Sequence, residues 1–410
     1  MYTFIVVMTG RNVANLSPLF NDCRPGDQVL LVPTLAGNDQ TVAAYRNWLT
    51  GRIPQAMCLE LPALESWPDA VTRWCVLPEV QGALGLCAPT PGTVGPLESG
   101  GDPGTSVVLI GNGGTKPLQD ALRNGLNDLM KRHGRPQIST LYADARPVRL
   151  TRVGGSSTLQ VEKFSGFSYP TAQGPQQSWL DDVLAVAGGF RRHRGTLVWQ
   201  AAHDPDAATT PGAGAQCAGA AQDFDGLCAA PLPPPPGPST RWVSALRKAV
   251  AEAVAWQLCV ETSLQHIVAE LWCDVHVMAN ADGVTVGDWD VLLLLRNGVL
   301  LHLDCRSWCP GAAVSQMHEA LRGLVDTTVW CVPLPALPSP AQGKGPAMLG
   351  THCHATYRDH PRWGRRVLPW VLGDQRVMVG QDWLDANDFG DALHQLLKPY
   401  VPLQQLGPDC

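Results

Sequence analysis

Residues 106–130, SVVLIGNGGTKPLQDALRNGLNDLM, pass from a short apolar strand through a glycine turn straight into an amphipathic helix. A run such as SVVLIG, without polar alternation, must be covered on both faces. A strand that feeds a helix at once belongs to a parallel sheet with helices packed against it. The same alternation occurs earlier. TFIVVM is followed by the polar turn Thr9, Gly10, Arg11, Asn12, and QVLLVPT is followed by a helical stretch around TVAAYRNWL. Sheets of this kind bind ligands at the carboxyl ends of their strands. The turns after Met8, Val32 and Ile110 are therefore expected at one edge. QISTLYADA and STLQVEKF read as later strands of the same domain.

The turn itself has a pointed chemistry. It is not a Walker loop, because Thr115 stands where that motif needs glycine before lysine, and it lacks the third glycine of a dinucleotide fingerprint. Gly113 and Gly114 leave the backbone bare for close approach, and the free amides at the start of the following helix favour an anion. Thr115 adds a hydroxyl and Lys116 a charge. Two readings stand at this point: a phosphate site, or a tight turn that caps a helix.

The whole chain has no basic field to draw a polyanion. Its net charge is −6, so nucleic acid would need a local patch such as the arginines of 190–194 (GFRRHR) or 362–366 (RWGRR), each of which also reads as a solvated loop. MYTFIVVMTG is too short in its apolar run for a secretory segment and lacks a basic flank, so a cytoplasmic protein without a membrane span is expected. Thirteen cysteines without framework spacing fit reduced thiols, and neither Cys305 with Cys309 nor the His352, Cys353, His354 cluster matches a structural zinc module.

Residues from about 203 to 240 are rich in Ala, Gly and Pro and have no periodicity. They read as a linker or long loop, or as a ligand for a proline-binding partner. This divides the chain into a first domain over 1–200, a linker over 201–240 and a second α/β domain over 241–410. In the second, Ser239-Thr240 cap a long helix, RWVSALRKAVAEAVAWQLCVETSLQHIVAEL. Strands follow at VHVMA, DWDVLLLL and VLLHLDCR, then a helix near VSQMHEALRGL, strands at TTVWCVPL and RVMVGQDWL, and a final helix, DFGDALHQLL.

The hairpin GDWDVLLLLRNGVLLHLDCRS places one acid on its first strand and an acid-x-base triplet on its second. A two-residue loop at Asn297-Gly298 would set Asp290 opposite Cys305 and turn Asp304 to the other face. A three-residue Arg-Asn-Gly loop with Gly298 left-handed sets Asp290 opposite Asp304. The sequence predicts the odd-numbered loop if the two acids act together. An acidic strand pair without chemistry is the alternative.

Two resemblances follow from these motifs. The GGTK turn on a later strand, with a polar turn after the first, resembles the CARF domain, a Rossmann-like sensor of cyclic oligoadenylate in ancillary proteins of type III CRISPR antiviral systems. That family commonly has Asn-x-Thr before GGTK, where this chain holds Ile110 and Asn112. The resemblance implies ligand binding by Asn112, Gly113, Gly114, Thr115 and Lys116, with Thr9, Gly10, Arg11 and Asn12 after the first strand and Thr34 after the second. It also implies a homodimer enclosing one ring, commonly cyclic tetra-adenylate. The hairpin resembles the PD-(D/E)xK, restriction-endonuclease-like nuclease core. This implies Asp290 and Asp304 as ligands of Mg²⁺ or Mn²⁺, with Arg306 where a lysine usually stands. Arginine cannot lose its proton near neutrality, so Arg306 could clamp a phosphate but not act as a base. The family tends to carry Trp-Leu-Glu before these strands. Here Trp256-Gln257-Leu258 occupies that place, and Glu261, Asp288 or a displaced Lys248 are the substitutes considered.

Together the resemblances imply an α/β chain with a Rossmann-like parallel-sheet sensor followed by a restriction-endonuclease-like domain. The implied activity is metal-dependent endonuclease action on DNA, RNA or both, switched on by cyclic oligoadenylate. A catalytically degenerate sensor is the second reading, and an ordinary nucleotide-dependent enzyme that binds a mononucleotide or dinucleotide is the third.

Overall fold

The computed structural model describes residues 1–8, 19, 22–34, 39–52, 56–65, 68–86, 106–111, 116–145, 148–153, 159–162, 178–187, 190–201, 240–265, 267–279, 283, 285–295, 298–305, 327–333, 367–372, 376–379, 382–385 and 389–398. They group into two compact units, 1–173 with 182–189, and 174–181 with 190–410.

In the first unit, β1 (Tyr2–Met8), β2 (Gln28–Pro33), β3 (Met57–Glu60), β4 (Ser106–Ile110) and β5 (Ser139–Ala145) are parallel. β6 (Val148–Val153) and β7 (Leu159–Glu162) extend the sheet antiparallel. The strand order is β3-β2-β1-β4-β5-β6-β7. This is the order of a doubly wound sheet, in which the strand sequence reverses between β1 and β4 and opens a crevice at their carboxyl ends. Helices α1 (Asp39–Arg52), α2 (Pro68–Cys75), α3 (Pro78–Ala83) and α4 (Lys116–Arg132) connect the parallel strands. β1, β2 and β4 are buried along nearly their whole length, as their unbroken apolar runs require. On one face Ile5, Val7, Leu30, Val32 and Leu109 pack with Val71 and Trp74 of α2 and with Leu118, Leu122, Leu126 and Leu129 of α4. The last four lie at helical spacing on one stripe, which is why α4 settles there.

The second unit is built on an eight-stranded mixed sheet of order β15-β14-β13-β12-β11-β10-β9-β8. β8 (Phe190–Gln200), β9 (Val268–Ala279), β10 (Thr285–Leu295) and β11 (Leu300–Cys305) are antiparallel neighbours. β12 (Thr327–Pro333) and β13 (Val367–Leu372) continue parallel to β11, and β14 (Arg376–Val379) and β15 (Asp382–Asp385) close the far edge antiparallel. Its helices are α5 (Trp179–Val186), which the two units share, α6 (Thr240–Val260), α7 (Thr262–Gln265) and α8 (Phe389–Leu397). α6 packs on β8 through β11 with Leu246, Val250, Val254 and Leu258 buried, a spacing of four that keeps one face on the sheet.

Two boundaries differ from the sequence reading. The eleven residues of β8 pair with β9, so the second unit takes up chain before residue 200 rather than beginning at 241. The long helix expected through Leu271 stops at Val260, and Val268 to Leu271 are strand. β-branched and apolar residues there serve a fully buried strand as well as a helix, and periodicity alone does not separate the two. The helix expected near 314–324 lies outside the described residues.

Glu270 on β9 is fully buried and explains how the segment before β8 is held. Its carboxylate accepts the Trp179 N–H at 2.8 Å, the Leu180 N–H at 3.0 Å and the Ser178 hydroxyl at 3.2 Å. It also accepts the Trp272 indole N–H at 2.9 Å and the Gln200 amide at 3.0 Å. The carboxylate thus caps the amino end of α5, where unpaired amides and the helix dipole favour negative charge. Arg192 adds a second clasp, donating to both oxygens of Asp181 at 2.9 and 2.8 Å while its guanidinium lies 4.3 Å over the Trp272 ring. Replacing Glu270 with Ala would strand several buried donors at a cost of about 1–3 kcal/mol each. Urea denaturation is expected to show E270A less stable by about 3 kcal/mol or more, and E270Q, which keeps one acceptor, by clearly less.

Candidate metal centre

The β10–β11 turn decides the geometry. Leu295 N–H donates to the Val299 carbonyl at 2.8 Å and Gly298 N–H to the Leu295 carbonyl at 2.9 Å, which leaves 296–298 as a three-residue loop. Gly298 sits at φ 86°, a conformation that costs glycine nothing and an L side chain roughly 1–2 kcal/mol. The ladder then runs Leu294 opposite Leu300 and Val291 opposite Leu303, so Asp290 faces Asp304. The odd-numbered loop is present.

Asp290, His302 and Asp304 offer ligand atoms that all lie within 4.8 Å of one another, and each of the three is buried. His302 and Asp304 are two apart on β11 and so share a face. The sequence analysis missed His302, although its spacing from Asp304 was a readable sign. Its Nε2 accepts the Asp290 N–H at 3.2 Å. Accepting there, the neutral imidazole carries its proton on Nδ1 and orients Asp290. Asp290 Oδ2 accepts the Cys305 N–H at 2.8 Å. Two carboxylates with one imidazole form a mainly hard donor set that fits Mg²⁺ or, better with the nitrogen, Mn²⁺.

Arg247 was also missed. It projects from α6 with Nη2 2.6 Å from Asp290 Oδ1, and its Nη1 bonds Asp274. Asp274 lies opposite Asp290 in the β9–β10 ladder, between the pairs Trp289–Val275 and Val291–Cys273. Burial alone would push the Arg247 pKa down, but Asp290, Asp274 and Asp288 hold it above its ordinary value. Nothing in the sequence pairs residue 247 with 274 and 290. Only the crossing of α6 over the sheet does.

The other expected residues fall in different places. Asp288, on the face of Asp290, pairs with His276 Nε2 at 3.2 Å, and Arg194 reaches the same imidazole. Glu261 bonds His394 of α8. At 1.5 Å per residue it stands about 20 Å along the helix direction from Arg247, so it supplies no acid to this centre. Lys248 points outward to Glu252 at 3.7 Å, one position from the arginine that faces the sheet. Within GFRRHR, Arg192 is committed to Asp181 and Trp272. Arg306 and the 362–366 arginines lie outside the described residues. Beside the centre, burial and Asp274 push the Cys273 thiol up to about 11, and a hydrogen bond with Cys331, together with burial, pushes the Cys305 thiol well above its ordinary value.

In the first unit the strand order brings the segments after β1 and β4 to neighbouring carboxyl ends, at the reversal point of the sheet. Lys116 is exposed at the first position of α4. Thr34 is buried, and its hydroxyl donates to the Met8 carbonyl at 2.8 Å, so it ties the end of β2 to β1. Thr9 to Asn12 and Asn112 to Thr115 lie outside the described residues. Among those described, no helix is long and apolar enough to cross a membrane.

A doubly wound unit joined to a mixed sheet with acids facing each other across a hairpin is the class of protein these observations define. Among solved structures the chain is similar to Can2 from Sulfobacillus thermosulfidooxidans, determined in complex with cyclic tetra-adenylate. The two are 14% identical over 98% of this chain and 99% of that one, with a TM-score of 0.49. It is also similar to a type III CRISPR defence DNA nuclease activated by cyclic oligoadenylate, 15% identical over 81% of this chain and 45% of that one, with a TM-score of 0.44. No protein-family model and no curated protein sequence matches the chain.

Because Gly298 alone takes the left-handed position in the loop's described part, G298A is expected to lower stability by about 1–2 kcal/mol in urea titration. Deleting it should cost far more, since a two-residue loop reverses the facing of one strand.

Proposed function

We propose that the chain is a nuclease of type III CRISPR defence whose first unit binds cyclic oligoadenylate and whose second cleaves nucleic acid at a divalent cation. The observation that carries this reading is the register that sets buried Asp290 against buried Asp304, with His302 beside them. Asp290 and Asp304 would hold Mg²⁺ or Mn²⁺. Bound there, the ion would lower the pKa of a water and offset charge growing on the scissile phosphate. His302 orients Asp290 through the backbone N–H, and the Cys305 N–H fixes the second carboxylate oxygen. Burial of all three excludes bulk water from the acids, which strengthens their hold on a cation.

In the first unit, the bare glycine turn and Lys116 would take a phosphate of the ring at the edge where β1 and β4 diverge. A homodimer would close around that ring, cyclic tetra-adenylate being the expected size, and shift the second unit toward its cutting state. A second reading, a sensor without cleavage, is favoured by one contact: Arg247 already occupies Asp290.

The test is plasmid DNA or single-stranded RNA incubated with the full chain, Mn²⁺ and cyclic tetra-adenylate. Cleavage that needs both additions and falls at least about 100-fold in D304N, a loss typical of a removed metal ligand, supports the nuclease. Ligand binding with no cleavage under any metal supports the sensor. K116A is expected to weaken ring binding by about 10-fold or more in calorimetry, the loss of one charge-assisted bond, and to leave Mn²⁺ binding unchanged.

A further inference from the structure

Three carboxylates stand in one row across adjacent strands: Asp274 on β9, Asp290 on β10 and Asp304 on β11. Strands repeat at about 4.8 Å, so such a row offers two neighbouring slots between acids. Two-ion phosphotransfer centres hold their metals about 3.5–4 Å apart with a shared carboxylate between them. Asp290 has the position of that shared acid. In this chain the slots are not alike. The Asp290–Asp304 slot has His302 beside it. The Asp274–Asp290 slot holds the guanidinium of Arg247, which bonds both acids at once.

The local backbone is shaped for this. Asp274 is the one non-glycine residue among those described with a positive φ, 56°. It sits where β9 carries an extra residue relative to β8, between the pairs Arg194–His276 and Thr196–Cys273. A bulge re-aims a side chain, and an aspartate held left-handed is a costly choice that persists only when its surroundings fix it. The opposite position is Gly195, where an added Cβ would come within 3.2 Å of Val275, so the partner strand accommodates the bulge with its smallest residue. Arg247 is largely buried on α6 and stays charged throughout the physiological range.

We infer that Arg247 is a built-in cation filling the second slot of a two-slot carboxylate row, so that the centre takes one divalent ion where its acids could hold two. The guanidinium would do by a fixed positive charge what a second metal does elsewhere, and its planar fork matches a phosphate as well as a carboxylate. This makes Arg247 a positioning residue that sets the ion count. The inference rests on the metal-centre reading above.

Mn²⁺ itself is the probe, titrated into the full chain and followed by calorimetry and by the electron paramagnetic resonance of free and bound ion. The wild type is expected to bind one ion per chain at the centre, counted as the sites lost in D304N. R247Q, which removes the charge and keeps a polar side chain, is expected to bind two, with the spin-coupled signal of adjacent manganese ions. R247Q/D274N should return to one. Should R247Q fail to fold by circular dichroism, R247M keeps the apolar stem and carries the same expectation. Two ions in the wild type, or one in a folded R247Q or R247M, would overturn the inference and leave the centre standing. No ion in the wild type would sink the metal-centre reading itself.

Discussion

The parity of one turn governs the second unit. Side chains alternate across a strand with a period of two, so a single residue in the β10–β11 connection decides whether Asp290 and Asp304 face each other or face apart. The loop closes over three positions, with Gly298 in the conformation an L residue resists. Everything polar at the centre inherits that choice. His302 falls on the same face as Asp304, the Asp290 N–H finds an imidazole nitrogen, and the adjoining β9 ladder adds Asp274 to the row.

The centre is also an exception to the way this sheet is made. β11 is buried at every position and lies near the middle of eight strands, a place where sequence usually puts only apolar residues. Two polar side chains there carry a desolvation cost that hydrogen bonds and an opposite charge must offset. On neighbouring β10, Arg247 supplies such an offset to buried Asp290 from another element. Glu270 solves the same problem differently: its buried charge meets five donors from three segments. One buried acid therefore serves architecture, while Asp290 and Asp304 face each other across the hairpin.

Much of this was legible in the chain itself. The alternation of apolar strands and helices announced the parallel sheet, and the short link between 291–295 and 299–304 announced both the hairpin and its parity condition. What escaped was nonlocal. Arg247 and Lys248 are adjacent cations on one helix, and only the packing of Leu246 and Val250 against the sheet decides which of them faces the acids. Asp274 needed a bulge that no local pattern encodes. Glu261 looked well placed on the helix but ends beside α8, because α6 runs along the sheet and does not end at the centre. β8 was hidden because FRRHRGTLVWQ opens on an unbroken polar and small run, Arg191 to Thr196, which lacks the alternation that marks a half-buried strand and reads equally as a solvated loop.

The position of β8 has a consequence for how the second unit can be studied apart. Its sheet draws on residues that precede the Ala/Gly/Pro-rich stretch as well as those that follow it. A fragment begun at residue 241 would lack the strand that covers β9. It would bare a row of backbone groups beside Trp272 and Val277, and leave Glu270 without Trp179, Leu180 and Gln200. Such an uncovered rim invites self-association through strand addition. The second unit, once excised, is thus expected to precipitate unless the cut is made upstream of Ser178, before the clasp that completes the sheet.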